Sequence, residues 1–218
     1  MKVGIFYVGG DQNEKVNEIH HFLGGRAARV VKRTMPGVEV VHLTDTRAQG
    51  LDGVDSVCRI HRAVPMAVFR MQHHQAPGEW LFIDSDVLVI KDVQDVFAEP
   101  FDIAICDRVT GDGAHGAAFA EMPHNMGVVF SRSPSFWKAV EKELMSYEMK
   151  LQEWMGDQLA VCRLIKRGDF DVKVLPGAEY NFPPRSPDMP KASIVHYKGK
   201  RKPWLVEHSA ALVESDAA

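Results

Sequence analysis

The chain has 218 residues, 45% of them hydrophobic, 25% charged and 9% aromatic. These ordinary globular proportions exclude a disordered chain, a collagen or a coiled coil. The formal net charge of −3 argues against a general nucleic-acid coat, which would be basic.

Three cysteines, Cys58, Cys106 and Cys162, lie far apart and form no C-x-x-C pair. That pattern argues against a disulfide framework or a zinc site and predicts a reduced, cytoplasmic protein. The apolar run after Met1-Lys2 is too short for a signal-peptide core. No apolar stretch reaches the roughly 18 residues a membrane-spanning helix needs, so no membrane span is expected.

In chain order the pattern alternates strand and helix. Val3 to Val8 predicts a first strand, closed by a Gly-Gly turn. Asp11 and Glu14 have capping-box spacing and open a helix with Val16, Ile19, Leu23 and Val30 on one face, weakened in the middle by Gly24-Gly25. Val38 to Leu43 predicts a second strand. The spacing of Ile60, Val64, Val68 and Met71 predicts a helix in which Pro65 must sit early or cause a bend.

Trp80 to Ile83 is a continuous apolar run, as expected of a central parallel strand covered on both faces. Val87 to Ile90, Asp102 to Cys106 and Met126 to Ser131 predict further strands. Ser133-Pro134 supplies an N-cap and a first-turn proline for a helix carrying Phe136, Val140 and Leu144. Another helix opens at Gly156-Asp157 and ends at Gly168; Phe170 to Leu175 and Ser193 to Tyr197 are late strands. Arg108 to Pro123 and the proline-rich 181–190 segment read as long loops, which in compact domains are often functional. The whole predicts one α/β domain over 1–204 with a mostly parallel sheet, followed by a C-terminal tail over 205–218. In such sheets ligands bind beyond the carboxyl ends of the strands.

Asp84-Ser85-Asp86 interrupts two apolar runs. Two carboxylates leaving a buried strand, completed by substrate phosphates, are a common way to hold Mg²⁺ or Mn²⁺. Spacing alone is weak: sixteen aspartates give about one chance D-x-D in a chain of this length. Indeed a second pair, Asp169-Phe170-Asp171, borders a strand start and reads as a decoy. The context separates the first pair, because charges between strongly apolar runs are costly without a partner. On context alone a metal site and a solvated loop weigh equally.

The segment Glu79 to Val89, preceded by Phe69-Arg70, resembles the donor-site core of GT-A glycosyltransferases, in particular the glycogenin-like and lipopolysaccharide-galactosyltransferase-like family 8. Further segments agree in order. His124-Asn125-Met126-Gly127 resembles the family's N-x-G strand start, Gly156-Asp157-Gln158 its D-Q helix start, and Leu175 to Asn181 its segment ending in an aromatic and Asn. His196-Tyr197-Lys198-Gly199-Lys200-Arg201-Lys202-Pro203-Trp204 matches its H-F-x-G-x-x-K-P-W signature except for Tyr at the aromatic position. The matched segments cover roughly residues 60 to 204. The chain is short for the family, which leaves little room for acceptor-binding insertions.

The resemblance implies a GT-A, Rossmann-like fold with a mixed, mostly parallel sheet flanked by helices. It also implies a retaining transfer of a sugar from a nucleoside-diphosphate donor, most plainly a UDP-sugar, to an acceptor hydroxyl. Asp84, Asp86 and His196 would then hold one divalent cation, Mn²⁺ or Mg²⁺, with Ser85 in the same donor site. Lys202 would meet a phosphate oxygen and Gly199 would let the backbone approach the diphosphate. Arg70 would lie near the diphosphate and sugar, and Asn125 would bond the sugar hydroxyls. Asp157 and Gln158 would flank the anomeric carbon. Apart from the resemblance, Tyr7 at the end of the first strand is a candidate to stack on the base.

Each residue has a plainer alternative. His196 is then a strand-end histidine, Arg70 an exposed helical one, Asp157 an N-cap, Asn125 a strand-turn cap, Tyr7 core, and the 198–202 lysines and arginine a solvated face. Rival functions are a sugar-phosphate nucleotidyltransferase, which should carry a basic Gly-rich loop where Gly9-Gly10-Asp11-Gln12 stands, and a non-catalytic nucleotide-sugar binder. Arg185 to Trp204 holds six basic residues and one acidic one, so an anionic acceptor, modified DNA included, is a further alternative.

Overall fold

The computed structural model describes residues 1–9, 14–109, 120–153 and 155–214. Gly10 of the Gly-Gly turn and Asp11 of the capping box lie outside the described residues, as do residues 110–119 of the long loop.

The chain builds β1 (Lys2–Phe6), α1 (Glu14–Thr34), β2 (Glu39–Asp45), β3 (Ser56–Ile60), α2 (Met66–His74), β4 (Trp80–Asp84) and β5 (Val87–Val89). It continues with β6 (Ile103–Asp107), β7 (His124–Ser131), α3 (Pro134–Leu144), α4 (Met149–Glu153), α5 (Gly156–Arg167) and β8 (Val172–Leu175). The last elements are α6 (Gly177–Tyr180), β9 (Ile194–His196) and α7 (Lys202–Glu214).

Among the described residues, seven strands form one sheet in the order β3-β2-β1-β4-β7-β6-β8. All neighbours pair in parallel except β7, which runs antiparallel to both β4 and β6. This is the mixed, mostly parallel α/β architecture. Side chains alternate across each strand. Val3, Ile5, Leu81 and Ile83 face a core closed by Leu23, Ala27, Val30 and Val31 of α1 and Leu205 of α7. Ile103, Ile105 and Val129 face the other core, closed by α2, α3 and α5 through Val68, Trp137 and Val161.

One edge of the sheet matters most. Phe6 lies opposite Asp84, so the carboxyl ends of β1 and β4 coincide. Because β7 is reversed, its first residues reach that same edge, with Val128 opposite Ile83. A second, two-stranded sheet joins β5 to β9 and sets Val87 opposite His196. The backbone N–H of Tyr197 donates to Asp86 O at 2.8 Å. Residues more than a hundred positions apart therefore meet beside the acidic turn.

Several local expectations need correction. Gly24-Gly25, expected to weaken the middle of α1, lies inside one continuous helix and packs against a neighbouring loop. A Cβ on Gly24 would lie 2.8 Å from Leu51 Cδ1. Val16 and Ile19, assigned to the buried face, are exposed, and burial begins at Leu23. The helix expected from Ile60 starts only at Met66, behind Pro65 as N-cap, and 56–60 is strand β3. β3 is an edge strand with little buried surface, so it lacks the apolar signal of a central strand. The residues after Trp204, expected as a tail, continue α7 as far as Glu214, with Leu205, His208 and Ser209 buried. Ser133 caps α3 as expected, its Oγ accepting from Phe136 N–H. No helix among the described residues is long and apolar enough to cross a membrane.

Candidate metal and donor site

A cleft of about 690 Å³ opens at the shared edge of β1, β4 and β7. Its wall includes Tyr7, Arg70, Asp84, Ser85, Asp86, Asn125, Asp157, Gln158, His196, Gly199 and Lys202. The structure thus brings together every residue that the family resemblance placed at the donor site, and Tyr7 with them. Asp169 and Asp171 do not line it. Asp171 instead pairs with Asp102 through backbone and side chain where β8 begins.

Asp84, Asp86 and His196 each offer one ligand atom, and these atoms lie within 4.8 Å of one another. His196 Nε2 is 3.1 Å from Asp86 Oδ1 and 3.8 Å from Asp84 Oδ2. Two carboxylate oxygens and an imidazole nitrogen, open to the cleft, form a donor set that fits Mn²⁺ or Mg²⁺.

Each carboxylate is also held from behind. Lys202 Nζ lies 2.7 Å from Asp86 Oδ2. Arg70 Nη2 donates to Asp84 Oδ1 at 2.8 Å and to Met126 O at 2.7 Å. Arg70 Nη1 lies 3.5 Å from Asp157 Oδ2. Arg70 is therefore a partly buried cross-link between α2, β4, β7 and α5, not an exposed helical arginine. Burial alone would raise the Asp86 carboxyl, but His196 and Lys202 outweigh it and hold it well below the usual carboxylate range. Asp157 moves the other way: its burial raises it more than Arg70 and the Gln158 N–H lower it.

Asp157 Oδ1 accepts the Gln158 N–H at 2.8 Å. Gln158 Oε1 accepts two hydrogen bonds, from Asn125 Nδ2 at 3.0 Å and from Met126 N–H at 3.2 Å. Gly199 has φ 59°, in the left-handed region that glycine tolerates best. Trp204 packs against the core.

Tyr7 is only 8% exposed, and its hydroxyl donates to Asn17 O at 2.9 Å. Its ring lies parallel to those of His20 and His42, at 5.9 and 6.3 Å between centroids. Little of the Tyr7 ring is open to a base.

Three residues at or next to the cleft were given no role in the sequence reading. His20 stands in the wall with Nδ1 2.9 Å from Ser85 Oγ. Asn181 Oδ1 lies 2.9 Å from His196 Nδ1. Gly127 sits directly under the His196 ring. The N-x-G match and the segment ending in Asn were signals for Gly127 and Asn181; nothing in the local sequence marks His20.

No protein-family model matches the chain, and no curated protein matches it by sequence. Solved structures do match in fold. The galactosyltransferase LgtC, in complex with donor and acceptor sugar analogs, superposes with a TM-score of 0.65 at 13% identity, covering 99% of this chain and 96% of that one. The glycosyltransferase GlyE of Streptococcus pneumoniae TIGR4 gives 0.61 at 16% identity over 98% of this chain. The bifunctional glycosyltransferase WbbM gives 0.57 at 13% identity over 96% of this chain. The chain spans 63% of the GlyE chain's length and 49% of the WbbM chain's. The fold of the chain is that of these glycosyltransferases.

Proposed function

We propose that the protein is a divalent-metal-dependent glycosyltransferase that moves a sugar from a nucleoside-diphosphate donor, a UDP-sugar, to an acceptor hydroxyl with retention of configuration. One observation carries this reading. Asp84, Asp86 and His196 turn three ligand atoms into one cleft, at the sheet edge where this class of fold binds nucleotides. A cation held by these three would supply Lewis-acid stabilisation of the leaving diphosphate.

The chain's own residues supply the rest. Lys202, now paired with Asp86, swings its ammonium to a diphosphate oxygen as negative charge develops there. Arg70 fixes Asp84 and Asp157 relative to each other, so that the metal edge and the sugar edge keep one spacing. Asn125 and Gln158 orient the sugar. Gln158 is no nucleophile in this scheme, because both lone pairs of its Oε1 already accept hydrogen bonds. The Asp157 carboxylate is likewise engaged by Arg70 and Gln158. A front-face transfer, in which a leaving-group oxygen takes the acceptor proton, therefore suits these residues better than a covalent glycosyl-enzyme.

The reading is tested by incubating the protein with a panel of UDP-, GDP- and ADP-sugars, with Mn²⁺ or with EDTA. It expects donor hydrolysis or transfer with UDP-sugars in Mn²⁺ alone. Turnover unchanged in EDTA, or none with any nucleotide-sugar, would reject it.

A further inference from the structure

Behind the metal-facing residues lies a chain of buried amides that ends on His196. Gly127 N–H donates to Asn125 Oδ1 at 3.1 Å. A backbone N–H can only donate, so this atom of Asn125 is its oxygen and the other is its nitrogen. That nitrogen donates to Gln158 Oε1 at 3.0 Å, an orientation fixed independently by the Met126 N–H on the same oxygen. The Asn125 oxygen also faces a second amide atom, 2.8 Å away on Asn181, which must then be Nδ2. The remaining Asn181 atom is Oδ1, an acceptor 2.9 Å from His196 Nδ1. All four side chains are largely buried, with 4–9% of each residue exposed.

Two backbone amides, at Met126 and Gly127, set the sense of every hydrogen bond as far as the imidazole. An acceptor at Asn181 requires a proton on Nδ1. The nitrogen left for a cation is Nε2, the one that faces Asp84 and Asp86. Histidine ligands to metals are generally held in this way by a partner on the other ring nitrogen, and losing that partner typically costs about 10–100-fold in metal affinity.

We infer that Asn181 is a positioning residue, which through the Gln158–Asn125–Asn181 amide chain keeps the proton of His196 on Nδ1 and presents Nε2 as the metal ligand. This inference rests on the metal site proposed above. It also joins the sugar side of the cleft to its metal side, because Gln158 heads the chain and His196 ends it. A disturbance of Gln158 should therefore be felt at the metal.

The test pairs imidazole ¹H–¹⁵N spectra with Mn²⁺ titration calorimetry on the full chain. In the metal-free protein the His196 Nδ1–H proton should be visible and slow to exchange. Mg²⁺ should leave that proton in place and shift the ¹⁵N signal of the unprotonated Nε2. Asn181→Leu, similar in size but without an acceptor, should lose the slow Nδ1–H signal and raise the Mn²⁺ Kd by about 10–100-fold. Asn181→Asp, which keeps an acceptor, should recover most of that affinity.

An unprotonated Nδ1 in the wild type would overturn the inference. So would a folded Asn181→Leu protein that binds Mn²⁺ within twofold of wild type. If Asn181→Leu does not fold, the wild-type spectra still decide the tautomer. A protected Nδ1–H with no response of Nε2 to Mg²⁺ would confirm the Asn181 tie and reject the metal reading, so the two failures are distinguishable.

Discussion

Gly127 and His196 are in direct contact across the cleft floor: a Cβ at residue 127 would lie 2.1 Å from His196 Cε1 and 2.5 Å from Nδ1. His196 ends a short strand whose pairing with β5 and with Phe182 O fixes its backbone, so the ring has little freedom to retreat. Gly127→Ala should therefore push the imidazole off the two aspartates. The expected outcome is a loss of about 10–100-fold in Mn²⁺ affinity, comparable to losing a metal ligand's support, in a protein that still unfolds cooperatively. Unchanged Mn²⁺ binding by calorimetry would show that the ring has room to move.

Asp84→Asn and Asp86→Asn should each abolish Mn²⁺-dependent turnover, but their stabilities should differ. The Asp84 side chain is 31% exposed, that of Asp86 11%. Asp86 also neutralises Lys202. Removing one member of a buried ion pair leaves an uncompensated charge. Asp86→Asn should thus lower the Tm of the metal-free protein more than Asp84→Asn does. Equal Tm values would mean that Lys202 finds water as readily as the carboxylate.

Much of this site was legible in the sequence because its residues come in short clusters with fixed spacing. Asp84 and Asp86 follow an unbroken apolar strand, and Lys202 sits six residues after His196, so a local pattern marked them. What was not legible is long-range. His20 meets Ser85 across 65 positions, and Asn181 meets Asn125 across 56. Only the parallel crossover and the β5–β9 pairing bring these together. The same reason explains Gly24: its weak helix propensity is accompanied by close packing on Leu51, a partner 27 positions away. β3 was missed because a half-exposed edge strand needs no apolar alternation.

Lys202→Ala should lower kcat/KM for donor hydrolysis by about 10–1,000-fold, the range for a lost electrostatic donor to a developing anion. Lys200→Ala and Arg201→Ala are the controls, since neither residue lines the cleft. If all three variants lose hydrolysis equally, the segment acts as a general basic surface and the role given to Lys202 fails. If the two controls keep hydrolysis but weaken transfer in a salt-dependent way, the acceptor is anionic.

Stability should fall with mild acid. His42 and His73 are held down to about 4, chiefly by burial. His74 is fully buried, stacked on Phe82 at 4.0 Å, with neither ring nitrogen hydrogen-bonded, and lies well below its usual value. Unfolded, all three take up a proton near pH 6.5. The unfolded state therefore binds more protons between about pH 6.5 and 4, and stability present above that window is lost as pH falls through it. Each histidine contributes a slope of up to about 1.4 kcal/mol per pH unit. Urea unfolding at pH 7 and pH 5 measures it. His74→Phe, which removes one of the three groups, should flatten the slope; a slope equal to wild type would contradict this assignment.

The central claim is that protein, cation and diphosphate assemble together in this cleft. The most direct measurement is the Tm of the protein with UDP, in Mn²⁺ and in EDTA, for wild type and Asp86→Asn. A ligand that binds only the native state stabilises it by mass action, by about 2.7 kcal/mol at a hundred times its Kd. UDP should raise the wild-type Tm by several degrees in Mn²⁺, not in EDTA, and should leave Asp86→Asn unmoved in both. An equal rise in EDTA, or a full rise in Asp86→Asn, would contradict the metal-bridged donor site.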